Sequence, residues 1–136
     1  MPTHHDAVLP IALTLVVCDG AHRDPATGKW TLLGLFNSIR APEFPVTHAH
    51  MVVYLALTEA AGKLTLRFQI VDSEESEDPI ATVDAELQVD NPRVVADLVI
   101  PIREVTFPAA GEYRLQVFAA RQFLLERRIL VIGPSE

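Results

Sequence analysis

Apolar and polar residues alternate with a period of two along much of this 136-residue chain. One phase of the alternation is apolar in four segments: Leu64, Leu66, Phe68 and Ile70; Ala81, Val83, Ala85, Leu87 and Val89; Ala96, Leu98, Ile100 and Ile102; Tyr113, Leu115, Val117 and Ala119. This period predicts half-buried strands of an antiparallel sheet with one wet face. Pro101 falls on the opposite phase of the third segment and removes one ladder donor, which predicts an edge strand or a bulge there.

Three other segments, residues 9–18, 30–39 and 51–57, are apolar on both phases. Such strands are typical of burial on both sides, or of one face covered by a partner. Within residues 30–39, we expect the core to take Leu33, Leu35 and Ile39. Trp30 and Phe36 then lie on the other face and need cover, from the N-terminal strand or from another chain.

The region between Phe107 and Tyr113 contains a Pro/Gly corner. A strand closes at Phe107, and Tyr113 opens the next alternating run, which is how the tyrosine corner of immunoglobulin-like sandwiches is built. The sequence therefore predicts an all-β, immunoglobulin-like antiparallel β-sandwich of about eight strands. Residues 1–136 form one domain in this interpretation, with tails at 1–8 and 133–136. Residues 9–39 add an N-terminal strand pair, and the strands from Met51 onward follow the order B, C, C′, E, F and G.

Several short motifs resemble a family of short bacterial proteins of unknown function. They are Cys18-Asp19, Thr27-Gly28-Lys29, Leu33-Gly34-Leu35-Phe36-Asn37, Pro42-Glu43-Phe44-Pro45, Phe107-Pro108, Gly111 and Tyr113. The resemblance covers residues 9–132 and implies a single-domain, cytoplasmic bacterial protein. The resemblance implies no activity and identifies no functional residue.

The net charge of −7 argues against nucleic-acid or anionic-membrane partners, which need a basic face. The single cysteine, Cys18, excludes an internal disulfide and favours a cytoplasmic location. The alternative is a secreted protein or a lipoprotein, because residues 9–18 have signal-like length and hydrophobicity. Val17 stands where a lipoprotein cleavage box needs a small residue, and no Lys or Arg precedes the run, so a buried first strand is favoured.

Histidines are the first candidates for a metal site. His48 and His50 have H-x-H spacing, which on a regular strand places both imidazoles on one face, and Cys18, Asp19 and His22 could complete a zinc shell. The simpler interpretation is a pair of solvent-facing histidines at the end of a proline-rich loop. We therefore predict no metal and no cofactor.

The acidic loop 72–78 is the second candidate, because loops at one end of a sandwich can supply several oxygen ligands to calcium. No EF-hand spacing is present, and runs of like charge are usually solvated. We expect this loop to be a solvated turn.

No familiar catalytic motif or constellation is present in the sequence, so we predict that the protein is not an enzyme. The leading hypothesis is a protein-interaction or self-association module, acting as a homo-oligomer or with a protein partner. Its candidate surface consists of Trp30, Phe36, Phe118, Phe123 and Leu124. The alternatives are a module that binds a metal ion or small polar ligand through end loops, and an enzyme of unrecognised type.

Overall fold

The computed structural model describes residues 9–74 and 78–134, and these form nine strands. The strands are β1 (Ile11–Arg23), β2 (Trp30–Leu35), β3 (Ser38–Arg40), β4 (Val46–Thr58), β5 (Gly62–Asp72), β6 (Ala81–Val89), β7 (Ala96–Phe107), β8 (Gly111–Ala119) and β9 (Gln122–Ile132). The predicted N-terminal tail lies outside the described residues. So do residues 75–77 of the acidic loop and the last two residues of the chain.

The strands make two sheets with the order expected of an immunoglobulin-like sandwich. The four-stranded sheet has the order β2-β1-β4-β7, and the five-stranded sheet has the order β3-β9-β8-β5-β6. Strands β4 to β9 take the places of B, C, C′, E, F and G, which confirms the predicted fold class. All neighbours are antiparallel except β3, which pairs parallel with β9 and takes the chain from the first sheet to the second.

The core lies between the two sheets and is built from the phase that the alternation predicted. Phe68, Leu115 and Val117 of the five-stranded sheet are fully buried, as are Val53 and Leu55 of β4. Strand β4 is also buried at Val52 and Ala56 on its other face, as the doubly apolar segment 51–57 predicted. Strand β7 is an edge strand, in agreement with its Pro101.

The tyrosine corner is present. The Tyr113 hydroxyl donates a hydrogen bond of 2.7 Å to the carbonyl of Ala109, and the ring of Tyr113 stands edge-on to Phe107 at a centroid distance of 4.9 Å. Both side chains are buried. The corner therefore fixes the crossing from β7 in one sheet to β8 in the other.

Replacing Tyr113 by phenylalanine tests this corner. Tyr113→Phe keeps the ring contact with Phe107 and removes only the hydroxyl, which leaves the Ala109 carbonyl without its donor. We expect the free energy of unfolding to fall by about 1 kcal/mol with the fold retained. Urea denaturation measures this free energy. Equal stability of variant and parent would contradict a structural role of the Tyr113 hydroxyl.

Strand β2 reverses the predicted phase of its side chains. Leu33 and Leu35, expected in the core, are 55% and 62% exposed, whereas Phe36 packs against the core. The reason is the register with β1. Leu35 pairs with Cys18 and Leu33 with Gly20, positions that face away from the second sheet. Ile39, also expected in the core, is buried there.

Candidate functional site

The outer face of the four-stranded sheet is apolar across its width. Leu35, Cys18, Val52 and Pro101 occupy one continuous cross-strand row from β2 to β7. We define the apolar face as the residues that are at least partly accessible in this row and next to it: Val16, Leu33, Leu35, Tyr54, Val99 and Pro101.

Cys18 lies beneath this face and is fully buried. Its Sγ donates to the carbonyl of Gly20 at 3.3 Å and lies 3.6 Å from the carbonyl of Val52. Burial raises the pKa of the Cys18 thiol. A thiol that is both buried and protonated is a poor nucleophile and a poor metal ligand, so Cys18 acts as a small apolar side chain.

The two ends of the apolar face carry different charges. At one end Tyr54 donates a hydrogen bond of 2.8 Å to Asp97, which is exposed on β7. At the other end His50 pairs in register with Arg103, and both are exposed. Asp97 and Arg103 are six residues apart on one strand, which corresponds to about 20 Å along the face.

Tyr54 is held in its neutral form. Burial, reinforced by the hydrogen bond to Asp97 and by its negative charge, raises the pKa of Tyr54 to about 12. A tyrosine in the unfolded chain titrates at about pH 10. As the pH rises, the unfolded chain therefore loses this proton before the folded chain does.

An alkaline titration of stability tests that environment. The contribution of Tyr54 is fully present below about pH 10 and is lost as the pH rises towards about 12. Tyr54→Phe should therefore flatten the decrease of unfolding free energy in this window, relative to the parent. Parallel curves for Tyr54→Phe and the parent would contradict the assigned environment.

The predicted histidine pair is not presented on one face. His48 pairs with the buried Val105 and lies with its ring centroid 5.6 Å from that of Phe36, whereas His50 is exposed beside Arg103. Opposite this segment Glu104 adopts a positive φ of 57°, and the regular alternation does not hold through it. Within residues 9–74 and 78–134, no group of three or more His, Cys, Asp or Glu side chains could hold a metal ion.

The predicted interaction residues are divided between three places. Trp30 is half-buried with the Arg23 guanidinium 5.7 Å from its ring centre, and Phe36 packs on the core. Phe118 and Phe123 lie on the outer face of the five-stranded sheet, edge to face at 5.9 Å.

Leu124, predicted to lie on the surface, instead packs against the core. The register between β8 and β9 shifts between Val117 and Phe118, so one extra residue lies on the β9 side. A bulge of this kind changes the direction of the following side chains. The alternation alone does not reveal it.

A second surface feature lies on the five-stranded sheet. An open depression of about 520 Å³ is lined by Thr65, Arg67, Gln69, Asp84, Phe118 and Arg121. Arg67 donates to both carboxylate oxygens of Asp84, at 2.8 and 3.1 Å. These lining residues come from three strands and the turn between β8 and β9.

A sequence model of a family of unknown function, DUF6941, matches residues 13–132. The chain belongs to this family. This match confirms the resemblance to a family of unknown function that the short motifs indicated. Membership of the family assigns no activity to the chain. No curated protein matches the chain.

The chain is also similar to a solved immunoglobulin-like protein from Pseudomonas aeruginosa. The two are 16% identical, the match covers 93% of this chain and 99% of that chain, and the TM-score is 0.39.

The described part of the chain contains no helix that is long and apolar enough to span a membrane.

Proposed function

We propose that this member of the family is a non-catalytic interaction module that associates with a second copy of itself through the apolar face. The observation that carries the proposal is the exposure of Leu33 and Leu35 on the edge strand β2, next to the apolar positions of β1 and β4. Single exposed leucines are ordinary, but a contiguous apolar surface is typical of an interaction site.

The structure of the face suits packing against another sheet. Cys18 and Val52, which follow Leu35 in the same cross-strand row, are both buried, so this part of the face has no open cavity at these two positions. The two leucines then project from a nearly continuous apolar layer. Two sheets that pack face to face bury such a layer from both sides, about 10 Å apart.

The charges at the two ends of the face favour a second copy as the partner. In a two-fold arrangement with antiparallel strands, the Arg103 end of one copy lies over the Asp97 end of the other. Opposite charges then meet twice, once on each side of the axis, and they fix the orientation more than the affinity. A stable dimer of this kind would bury on the order of 1,000 Å² or more in total.

The net charge of −7 does not oppose this arrangement strongly. Eight of the acidic residues lie between Phe68 and Pro92, in a stretch without Lys or Arg. That stretch includes β6, one of the two edge strands of the other sheet. Repulsion between distant exposed charges is largely screened beyond a Debye length of about 8 Å at physiological ionic strength.

Charge reversal across the face tests the proposed partner and its orientation together. Asp97→Arg alone and Arg103→Asp alone should each weaken self-association, because like charges then face each other across the two-fold axis. The double variant Asp97→Arg/Arg103→Asp should recover part of the loss. Sedimentation velocity at several protein concentrations measures the dissociation constants of the parent and of the three variants.

Asp90→Arg changes the same charge in the loop after β6 and is the control, with no expected effect on association. If the single variants associate as the parent does, the face does not hold a second copy in this orientation. Binding to a different protein instead of to itself would leave the parent monomeric at all concentrations, and this would contradict the proposal.

A further inference from the structure

The depression on the five-stranded sheet differs from the apolar face in chemistry. Its floor contains one aromatic ring, Phe118, backed edge to face by Phe123, which is 49% exposed. Its polar wall contains two guanidinium groups and one carboxylate. Its volume of about 520 Å³ is within the range of small-molecule sites, roughly 300–1,000 Å³.

The two arginines of the wall are in different states. Arg67 is held by Asp84 through Nε and Nη2, which leaves its Nη1 group outside the pair. Arg121 makes no hydrogen bond or ion pair with any residue in the described ranges. The lining therefore carries one positive charge more than it carries negative charge, in a protein that is acidic as a whole.

The turn that carries Arg121 is built in a conformation that its residues disfavour. Ala120 and Arg121 have φ angles of 50° and 70°, as in a type I′ hairpin turn, where Asn-Gly is preferred. The Ala120 amide donates to the carbonyl of Thr65 at 3.0 Å, which ties the turn to β5 beside the depression. Left-handed non-glycine residues are strained, and such strain is frequent at ligand sites.

Together these features define the ligand by its chemistry. A guanidinium group matches a carboxylate in charge and in geometry, with two parallel N–H donors. An aromatic floor favours an apolar or aromatic group on the same molecule. We propose that the depression formed by Thr65, Arg67, Gln69, Asp84, Phe118 and Arg121 binds a small carboxylic acid with an apolar group, the carboxylate on Arg121 and the apolar part over Phe118.

Phenylacetate is the probe, and phenylacetamide is its neutral counterpart of nearly the same shape. We expect phenylacetate to cause saturable chemical-shift changes in the amides of Phe118 and Arg121 in the ¹⁵N-labelled full chain. Phenylacetamide should bind about tenfold more weakly, since a charge-assisted hydrogen bond is roughly twice as strong as a neutral one. Arg121→Gln should reduce the affinity for phenylacetate by about the same tenfold factor, while affinity for phenylacetamide stays unchanged.

Arg93→Gln removes the same charge from the loop between β6 and β7 and is the matched control, with unchanged affinity expected. Equal binding of the acid and the amide would overturn the carboxylate assignment. Equal affinity of Arg121→Gln and parent would overturn the role of Arg121. Shift changes that do not saturate, or that fall outside the depression, would overturn the site itself.

Discussion

Replacing both exposed leucines of β2 by serine, Leu33→Ser with Leu35→Ser, is expected to abolish self-association. In a two-fold dimer each copy contributes both leucines, so four side chains leave the interface. At about 1.5 kcal/mol or more for each buried leucine, the loss reaches about 6 kcal/mol. A dimer with micromolar affinity is held by only about 8 kcal/mol. Light scattering at several concentrations should then give the mass of one chain for the variant.

The isolated domain should not be weakened by the same change. Leu33 and Leu35 are exposed in the single chain and contribute little to its core, so the urea midpoint at high dilution should stay close to that of the parent. Leu130→Ser is the matched control, because Leu130 is 42% exposed on the other sheet. Association lost equally in Leu130→Ser, or retained in the double variant, would contradict the assignment of the face.

The largest effect on stability is expected at the corner between the sheets. Phe107 is fully buried and packs edge-on against Tyr113, so Phe107→Ala removes a ring from the core and from the support of the corner. Truncation of a buried phenylalanine to alanine costs about 3–5 kcal/mol. We expect the free energy of unfolding in urea to fall by that amount.

Phe123→Ala makes the same chemical change at a half-exposed position on the outer face. It should cost much less, because the ring loses its contact with Phe118 and leaves no closed cavity. Similar losses for the two variants would mean that the corner has no special role in holding the sheets together.

The alternation of apolar residues predicts the fold well because it reports directly on which side of a strand is buried. The inward phases of β5, β6 and β8 were each found where the period of two placed them. The corner could also be predicted, because a strand end, a proline, a glycine and a tyrosine follow one another within seven residues. Both signals are local in sequence.

The phase of β2 could not be predicted, because apolar residues occur on both of its faces. Only the register with β1, in which Leu35 pairs with Cys18, decides which set is buried. A shift of one residue in that register would exchange the two sets. The same ambiguity explains why neither the packing of Phe36 against the core nor the exposure of Leu33 and Leu35, on which the proposed function rests, could be predicted.

Local irregularities explain the other errors. The bulge near Val117 turns Leu124 towards the core, and the positive φ of Glu104 interrupts the alternation beside His48. The depression was not predicted at all. Thr65, Phe118 and Arg121 are brought together by the pairing of β5 with β8, which connects residues more than fifty positions apart. No sequence motif and no hydrophobic period predicts that these residues lie close together.

The most direct test of the central claim is the mass of the unmodified protein in solution. Sedimentation equilibrium from low micromolar to high micromolar concentration should show a shift from one chain of 15.0 kDa to twice that mass. Intermolecular nuclear Overhauser contacts in a mixed sample of labelled and unlabelled chains should then involve Leu33 and Leu35. A single chain at every concentration, or a dimer with contacts elsewhere on the surface, would contradict the account.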